Sequence, residues 1–243
     1  MRQPAVNPHK EIFKMSLELK IENAKSLLGR IASEHAPAVF ANSLGAEDMV
    51  LTDLIAKHTP SIGIFSLDTG RLPQETYDLM KQVAKYYSIR MRVYFPERHA
   101  LEAFATKHGV NAFYDSAELR KTCCQIRKVE PLRRALHGKQ AWLTGLRREQ
   151  APTRQNLGAA EWDADNGLHK FNPLIEWTQI DVWSYIREFN VPYNSLHDQS
   201  YPSIGCAPCT RAVTAGQDIR AGRWWWEDPE SKECGLHKSK EVA

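Results

Sequence analysis

The sequence lacks any apolar run long enough to cross a bilayer, since no stretch approaches the roughly 20 residues that a transmembrane helix needs. It also lacks the apolar core of a secretory signal near residue 1, so we expect a cytoplasmic chain with no membrane partner. Charge of either sign is scarcely in excess, with 32 Lys and Arg against 29 Asp and Glu, and no nucleic-acid partner is indicated. We find no internal repeat and no low-complexity segment.

Cysteine is rare, with five in 243 residues. An odd count in a chain without a secretory signal argues against a disulfide framework and for reduced thiols available to a metal or to catalysis. Cys123 and Cys124 are adjacent, Cys206 and Cys209 form a Cys-x-x-Cys, and Cys234 stands alone near the end. Four thiolates suffice for a metal centre, which leaves one thiol as a nucleophile.

Alternating strand and helix patterns predict an α/β fold, a Rossmann-like parallel sheet flanked by helices. We divide the chain into a loose leader (1–14), a nucleotide-binding α/β domain (15–215) and a mobile C-terminal tail (216–243). Thr178 is the predicted N-cap of a helix with Asp181 in its first turn. The predicted strands cover 38–43, 61–68, 90–95 and 140–145, and the other helices 16–34, 47–57, 73–87, 99–108 and 122–137.

Three predicted strands end in small polar loops, at the edge where such sheets bind ligands. The first loop alone is also compatible with a plain strand-to-helix connection, but Gly45 permits a tight turn and the helix start favours an anion. In the third loop, arginines suit a phosphate or sulfate, whereas Arg148 also fits a solvated turn. The candidate substrate-binding residues in the three loops are Ser43 and Gly45, then Asp68, Thr69 and Gly70, then Gly145, Arg147 and Arg154.

The cysteine spacing leaves two kinds of metal centre open. Cys206 and Cys209 are spaced as zinc ligands are. Adjacent thiolates such as Cys123 and Cys124 are poorly placed to bind the same tetrahedral ion, but they can bind different iron atoms of a four-iron cluster. The pattern therefore favours a 4Fe-4S cluster, with structural zinc as the alternative.

At this point the chain resembles the assimilatory, iron–sulfur type of adenylyl-sulfate (APS) reductases, in the PAPS/APS reductase family of the adenine nucleotide alpha-hydrolase superfamily. The matching motifs follow the family's order over roughly 40–237 of the chain, and the cysteine motifs are highly specific together. They are Ser-Leu-Gly-Ala-Glu-Asp-Met-Val-Leu (43–51), Leu-Asp-Thr-Gly-Arg-Leu-Pro-Gln-Glu-Thr (67–76), Lys-Thr-Cys-Cys-Gln-Ile-Arg-Lys-Val-Glu-Pro-Leu (121–132), Thr-Gly-Leu-Arg-Arg-Glu-Gln (144–150), Phe-Asn-Pro-Leu-Ile-Glu-Trp (171–177), Gly-Cys-Ala-Pro-Cys-Thr-Arg (205–211) and Glu-Cys-Gly-Leu-His (233–237).

The resemblance implies a 4Fe-4S cluster and a preference for APS, because reductases of the 3′-phosphorylated nucleotide, PAPS, generally lack the four paired cysteines. It also implies that Arg220 and Arg223 bind the sulfate group. The implied cluster ligands are Cys123, Cys124, Cys206 and Cys209.

We expect Cys234 to attack the sulfur of APS, to release AMP and to carry an S-sulfocysteine, with His237 beside the thiolate. The other four thiols are assigned to the metal, so thioredoxin or glutaredoxin is the expected reductant that releases sulfite. Lys128, one helical turn after Cys124, is placed between cluster and substrate, or faces solvent. The three tryptophans at 224–226 suggest either base stacking or, preferably, packing of the tail. A homo-oligomer is compatible with the sequence.

Three other functions remain open. The nearest is a PAPS reductase, or one that accepts both nucleotides. A zinc module that binds nucleotide without turnover is another. An ATP-dependent thiolation enzyme is disfavoured, because Leu44 and Met49 break the Ser-Gly-Gly-x-Asp-Ser loop of that branch.

Overall fold

A six-stranded sheet forms the centre of the computed structural model, which describes the backbone of residues 8–151 and 154–227, with side chains from Leu17 onward. The strands are β1 (Ala38–Ala41), β2 (Gly63–Leu67), β3 (Arg92–Tyr94), β4 (Ala141–Leu143), β5 (Ala160–Asp163) and β6 (Leu168–Phe171). The α-helices are α1 (Pro8–Glu34), α2 (Ala46–His58), α3 (Gln74–Tyr87), α4 (Arg98–His108), α5 (Ala117–Cys124), α6 (Glu130–Leu136) and α7 (Gln179–Glu188).

The strand order is β3-β2-β1-β4-β6-β5, and all neighbours are parallel except β5, which runs antiparallel to β6 at one edge. From β1 the chain builds outward to β3 and then returns to β4 on the other side of β1. The order therefore reverses between β1 and β4, which is where doubly wound sheets open a crevice for ligands. The predicted fold class is confirmed, with an antiparallel edge added.

Alternating side chains of the central strands supply two hydrophobic cores, one on each face of the sheet. Phe40 and Leu143 belong to the core that includes α1, α2 and α7, whereas Val39 and Trp142 belong to the core under α6. Burial on both faces explains why β1 and β4 read as continuous apolar runs. These layers hold the carboxyl ends of the strands in place.

The structure confirms most predicted elements within a few residues. Thr178 caps α7 as expected: its hydroxyl accepts the Asp181 N–H at 3.1 Å, and the Asp181 carboxylate accepts the Thr178 N–H at 2.7 Å. The helix predicted over 122–137 begins earlier and is interrupted by a π-helical turn at Gln125–Val129. None of the described helices combines the length and apolarity that a membrane crossing demands.

Candidate active site and thiol centre

A cavity of about 660 Å³ opens at the carboxyl ends of β1, β2 and β4, where the strand order reverses. All three predicted loops reach it. Nine of the eleven residues predicted to bind substrate line this cavity, and Asp68 and Gly70 do not. The nine are Ser43, Gly45, Thr69, Lys128, Gly145, Arg147, Arg154, Arg220 and Arg223.

The first loop turns at a residue that we did not expect. Gly45 is extended, with φ −74°, and the left-handed residue is Leu44, with φ 63°. The side chain of Asn42 stabilises this turn by accepting the Leu44 N–H at 2.7 Å. The expectation that Gly45 provides the tight turn is therefore wrong. Gly45 instead directly precedes α2 and lines the cavity.

Asp48 is the buried centre of the first loop. Its carboxylate accepts hydrogen bonds from the Ser43 N–H and from the Ser43 hydroxyl, both at 2.6 Å. Burial raises the pKa of Asp48 to about 6, although the hydrogen bonds from Ser43 oppose the shift. A Cβ on Gly145 would lie 2.2 Å from the Asp48 Oδ1, so the third loop approaches this carboxylate as closely as glycine allows.

The second loop is organised from inside by Asp68. Its Oδ1 accepts the Gly70 N–H at 2.7 Å and the Tyr77 hydroxyl at 2.9 Å. Gly70 has φ +69°, a conformation that favours glycine. Thr69 faces the cavity, and its Oγ1 lies 3.2 Å from the Cys206 Sγ. This loop thus contacts both the cavity and the Cys-x-x-Cys segment.

The arginines of the third loop differ in their surroundings. Arg147 is buried, and its guanidinium forms ion pairs with Glu47 at 2.8 Å and with Glu149 at 2.9 Å. Arg148 points outward to an ion pair with Glu176, as a solvated turn predicts. Arg154 is buried at the cavity. The roles of Arg147 and Arg154 in anion binding stay predictions. At Arg147, a bound anion would have to share the guanidinium with the carboxylates of Glu47 and Glu149.

The four paired cysteines line one small cavity beside the first. None of the four forms a disulfide bond. Burial raises the pKa of Cys123, and burial together with the neighbouring Cys206 raises the pKa of Cys209 to about 12. A thiolate in this pocket therefore requires a positively charged partner, such as a metal, to be stable.

The donor set of this pocket, four cysteine thiols, is of the kind that holds an iron–sulfur cluster. Within residues 17–151 and 154–227, no three His, Cys, Asp or Glu side chains are arranged to hold one metal ion. Trp224 lines this pocket, and its Nε1–H is buried without a hydrogen-bond partner among the described residues.

Lys128, Cys206 and Trp224 line both cavities and form the wall between them. Lys128 lies in the π-helical turn that follows Cys124, rather than in the α-helical turn that we expected. Trp224 is only 1% exposed, which confirms for this residue that the tryptophans pack against the body. The ammonium group of Lys128 therefore belongs to a residue that lines both the large cavity and the thiol pocket.

Sequence reasoning missed several residues of the cavity. Asp48 and Glu47 lie within a quoted motif, and a carboxylate in the first turn of a helix was the available signal. His197 lines the cavity, its Nδ1 lies 2.9 Å from the Tyr201 carbonyl oxygen, and burial lowers its pKa. No sequence pattern indicates His197. The predicted catalytic residues Cys234 and His237 lie outside the described residues.

Comparison with known proteins gives consistent similarities. The model of the phosphoadenosine phosphosulfate reductase domain matches residues 37–212. An adenosine 5′-phosphosulfate reductase of Allochromatium vinosum is 56% identical, over 88% of this chain and 84% of the relative. One from Neisseria meningitidis is 54% identical, over 92% of each.

Solved structures agree on the fold. A phosphoadenylyl-sulfate reductase from Candida auris, in complex with phosphate, superimposes with a TM-score of 0.67 and 30% identity, covering 87% of this chain and 100% of that one. FMN adenylyltransferase from Candida glabrata, at 15% identity and a TM-score of 0.60, covers 98% of this chain and 83% of its own, and shows the fold alone.

Proposed function

The chain belongs to the phosphoadenosine phosphosulfate reductase family, and from that premise we propose that it reduces APS to sulfite and AMP in sulfate assimilation. The names of relatives that are 54–56% identical support APS as the substrate. The observation that carries the proposal is the shared wall. It sets a cation, a cluster thiol and a tryptophan between a nucleotide-sized cavity and a four-thiol pocket.

The cavity supplies both halves of an APS site. The start of α2 offers backbone N–H groups to a phosphate, and Gly145 allows the third loop to approach closely. Lys128 lines both cavities and Arg223 lies against Trp224 of their shared wall, so both bring positive charge to the side where we expect the sulfonyl group of APS. Arg220 lines the same cavity. In this orientation the electrophilic sulfur faces the segment that leads to Cys234.

The first step is attack by Cys234 on the sulfur of APS. The thiolate forms a sulfur–sulfur bond, the bond from sulfur to the bridging phosphate oxygen breaks, and AMP leaves with that electron pair. The product is an S-sulfocysteine. Lys232, His237 and Lys238 lie within four residues of Cys234 and favour its thiolate form.

The second step consumes an external dithiol. One thiolate of thioredoxin or glutaredoxin attacks the sulfur of Cys234, and sulfite leaves. The second thiol of the partner then attacks the mixed disulfide, so that Cys234 is restored as a thiol and the partner leaves as a disulfide. The two electrons that convert sulfate to sulfite thus come from the partner. We also propose a cytoplasmic location, because such dithiol reductants and free cysteines are typical of a reducing compartment.

We assign the 4Fe-4S cluster to Cys123, Cys124, Cys206 and Cys209, because these four thiols line one pocket. When bound, the cluster supplies an anionic, polarisable centre beside the wall. Lys128 then offsets the repulsion between that centre and the sulfonyl group of the substrate. The chain's own contribution is to hold the substrate's negative charge between Lys128 and the two arginines of the 220–223 segment.

Sulfite release tests this function. Anaerobically purified protein with reduced thioredoxin is given APS or PAPS in parallel, and its iron and acid-labile sulfide are measured. We expect release from APS, iron with sulfide, and no turnover in Cys234→Ser, with Ser231→Ala in the same segment as the matched control. Equal or faster release from PAPS would favour the dual or PAPS-specific reductase, which the similarity to the Candida auris enzyme keeps open. Zinc without sulfide would contradict the cluster assignment.

A further inference from the structure

A buried ion pair joins the helix of the adjacent cysteines to the last described residue of the chain. The Arg120 Nε and Nη2 donate to the two carboxylate oxygens of Glu227 at 2.9 and 2.7 Å. The side chain of Arg120 is fully buried and that of Glu227 is 5% exposed. A two-pronged contact of this kind fixes direction as well as distance.

Arg120 also contacts the thiol pocket. Its guanidinium carbon lies 4.6 Å from the centre of the Trp224 ring, and the guanidinium carbon of Arg223 lies 4.7 Å from the same ring. Arg120 lines the pocket beside Cys124. The guanidinium therefore lies between the thiol pocket and the Glu227 carboxylate.

The segment 222–227, which we call the strap, is bound to the other cysteine pair by its backbone. Arg211 donates its N–H to the Gly222 carbonyl at 3.0 Å, and Trp224 donates its N–H to the Cys209 carbonyl at 3.3 Å. The strap therefore spans both cysteine motifs: its backbone contacts the Cys-x-x-Cys segment, and its Glu227 contacts α5. Cys234 follows Glu227 by seven residues, about 25 Å of chain at full extension.

We propose that Arg120 is a positioning residue, which holds the strap against α5 and so sets the point from which the chain continues to Cys234. This inference rests on the proposed function. According to this inference, the guanidinium of Arg120 links the cysteine pocket to the strap that leads to Cys234. Arg120 contacts neither substrate nor reacting sulfur, and it acts through Glu227.

The alternative, that the pair only stabilises the fold, makes a different prediction. Buried ion pairs replaced by apolar residues of similar volume often retain stability, whereas a single unpaired partner is strongly destabilising. A double replacement therefore separates the two roles. Arg120→Met with Glu227→Met removes the directional contact without leaving a buried charge. Arg120→Lys keeps the charge and removes the two-pronged geometry.

The experiment compares both variants with the wild-type holoprotein and with a matched control. Arg134→Met with Glu130→Met removes another arginine–glutamate pair, which is partly exposed on α6. Three readouts are taken: tryptic cleavage after Arg223, AMP released from APS without reductant, and iron content. Arg223 is buried in the strap, so cleavage after it reports release of the strap and requires no turnover.

We expect about tenfold faster cleavage after Arg223 and about tenfold slower AMP release in the Arg120→Lys and Met/Met variants, as the loss of a charge-assisted contact predicts. The control should match the wild type. Cleavage at the wild-type rate in both variants would overturn the proposal, whether or not iron is lost. Iron loss together with faster cleavage would support a strap that spans both cysteine motifs. A wild-type protein that releases no AMP from APS would reject the proposed function, and the cleavage result would still decide the role of Arg120.

Discussion

At the scale of single residues, the site contains an ionisable group, Asp48, whose charged form is disfavoured by burial. Asp48 is held at the cavity by Ser43, yet burial raises its pKa to about 6. The folded state therefore retains a proton on this carboxyl at pH values where the unfolded chain has lost it. The stability that this proton provides is complete below about pH 4 and is lost as the pH rises through 6.

Asp48→Asn should change the pH dependence of stability. Because the asparagine does not titrate, the unfolding free energy of the wild type relative to Asp48→Asn should rise by about 1 kcal/mol between pH 7.5 and 5. Urea unfolding of both proteins at several pH values measures this difference. Parallel stability curves across that range would show that the pKa of Asp48 is not raised.

Gly145→Ala should damage the site and spare the fold. The added Cβ would meet the Asp48 Oδ1 at 2.2 Å and the Glu47 Cβ at 3.1 Å, so the first and third loops must separate. An overpacking cost of about 1–3 kcal/mol at the AMP site corresponds to AMP binding weakened about 5- to 150-fold. Titration calorimetry with AMP measures it. Gly29→Ala in α1, where nothing lies within 4 Å of the new Cβ, is the control and should bind AMP normally.

At the scale of elements, the sequence predicted strands that are buried on both faces and a helix start that has a local capping signal. β1 and β4 are apolar because both their faces are covered, and Thr178 with Asp181 carries a capping signal that needs no tertiary partner. β5 and β6 were missed. β5 is a four-residue edge strand with a half-exposed tryptophan, Trp162, and its polar sequence gives no clear period. Short edge strands are defined by their neighbours rather than by their own residues.

Three helices meet at one buried carboxylate that the sequence did not indicate. Asp53 in α2 accepts the hydroxyl of Tyr87 in α3 at 2.9 Å and that of Tyr185 in α7 at 2.7 Å. Burial and Asp53 raise the pKa of both tyrosines, so both hydroxyls keep their protons and remain donors at neutral pH. The network fixes the helices that flank the cavity on one face of the sheet.

Asp53→Ala should lower the unfolding free energy by about 3 kcal/mol, because the buried hydroxyl of Tyr185 and the partly buried one of Tyr87 lose their acceptor. Urea denaturation measures the loss, and Tyr185→Phe should show a smaller one of about 1 kcal/mol. Glu22→Ala, which removes an exposed ion pair with Lys25 on α1, should change stability by less than about 0.5 kcal/mol. An Asp53→Ala protein as stable as Glu22→Ala would refute this role.

At the scale of the whole molecule, the sequence predicted which residues belong to the site better than how they are connected. Motifs at the ends of successive strands meet because parallel strands end at one edge, so six predicted residues of the three loops line one cavity. Lys128, Arg220 and Arg223 reach the same cavity from other parts of the chain. The Arg120–Glu227 pair joins residues 107 positions apart and has no local signature. The shared wall of Lys128, Cys206 and Trp224 likewise exists only once the chain is folded.

The central claim is that Cys234 accepts the sulfonyl group of APS while the other four cysteines hold the cluster. The measurement is the mass of the tryptic peptide 233–238 after anaerobic protein is incubated with APS and no reductant. We predict that this peptide gains one SO₃ group for each AMP released, and that reduced thioredoxin then removes the group as sulfite. AMP release with an unmodified Cys234, or with the group on one of the four paired cysteines, would contradict the account.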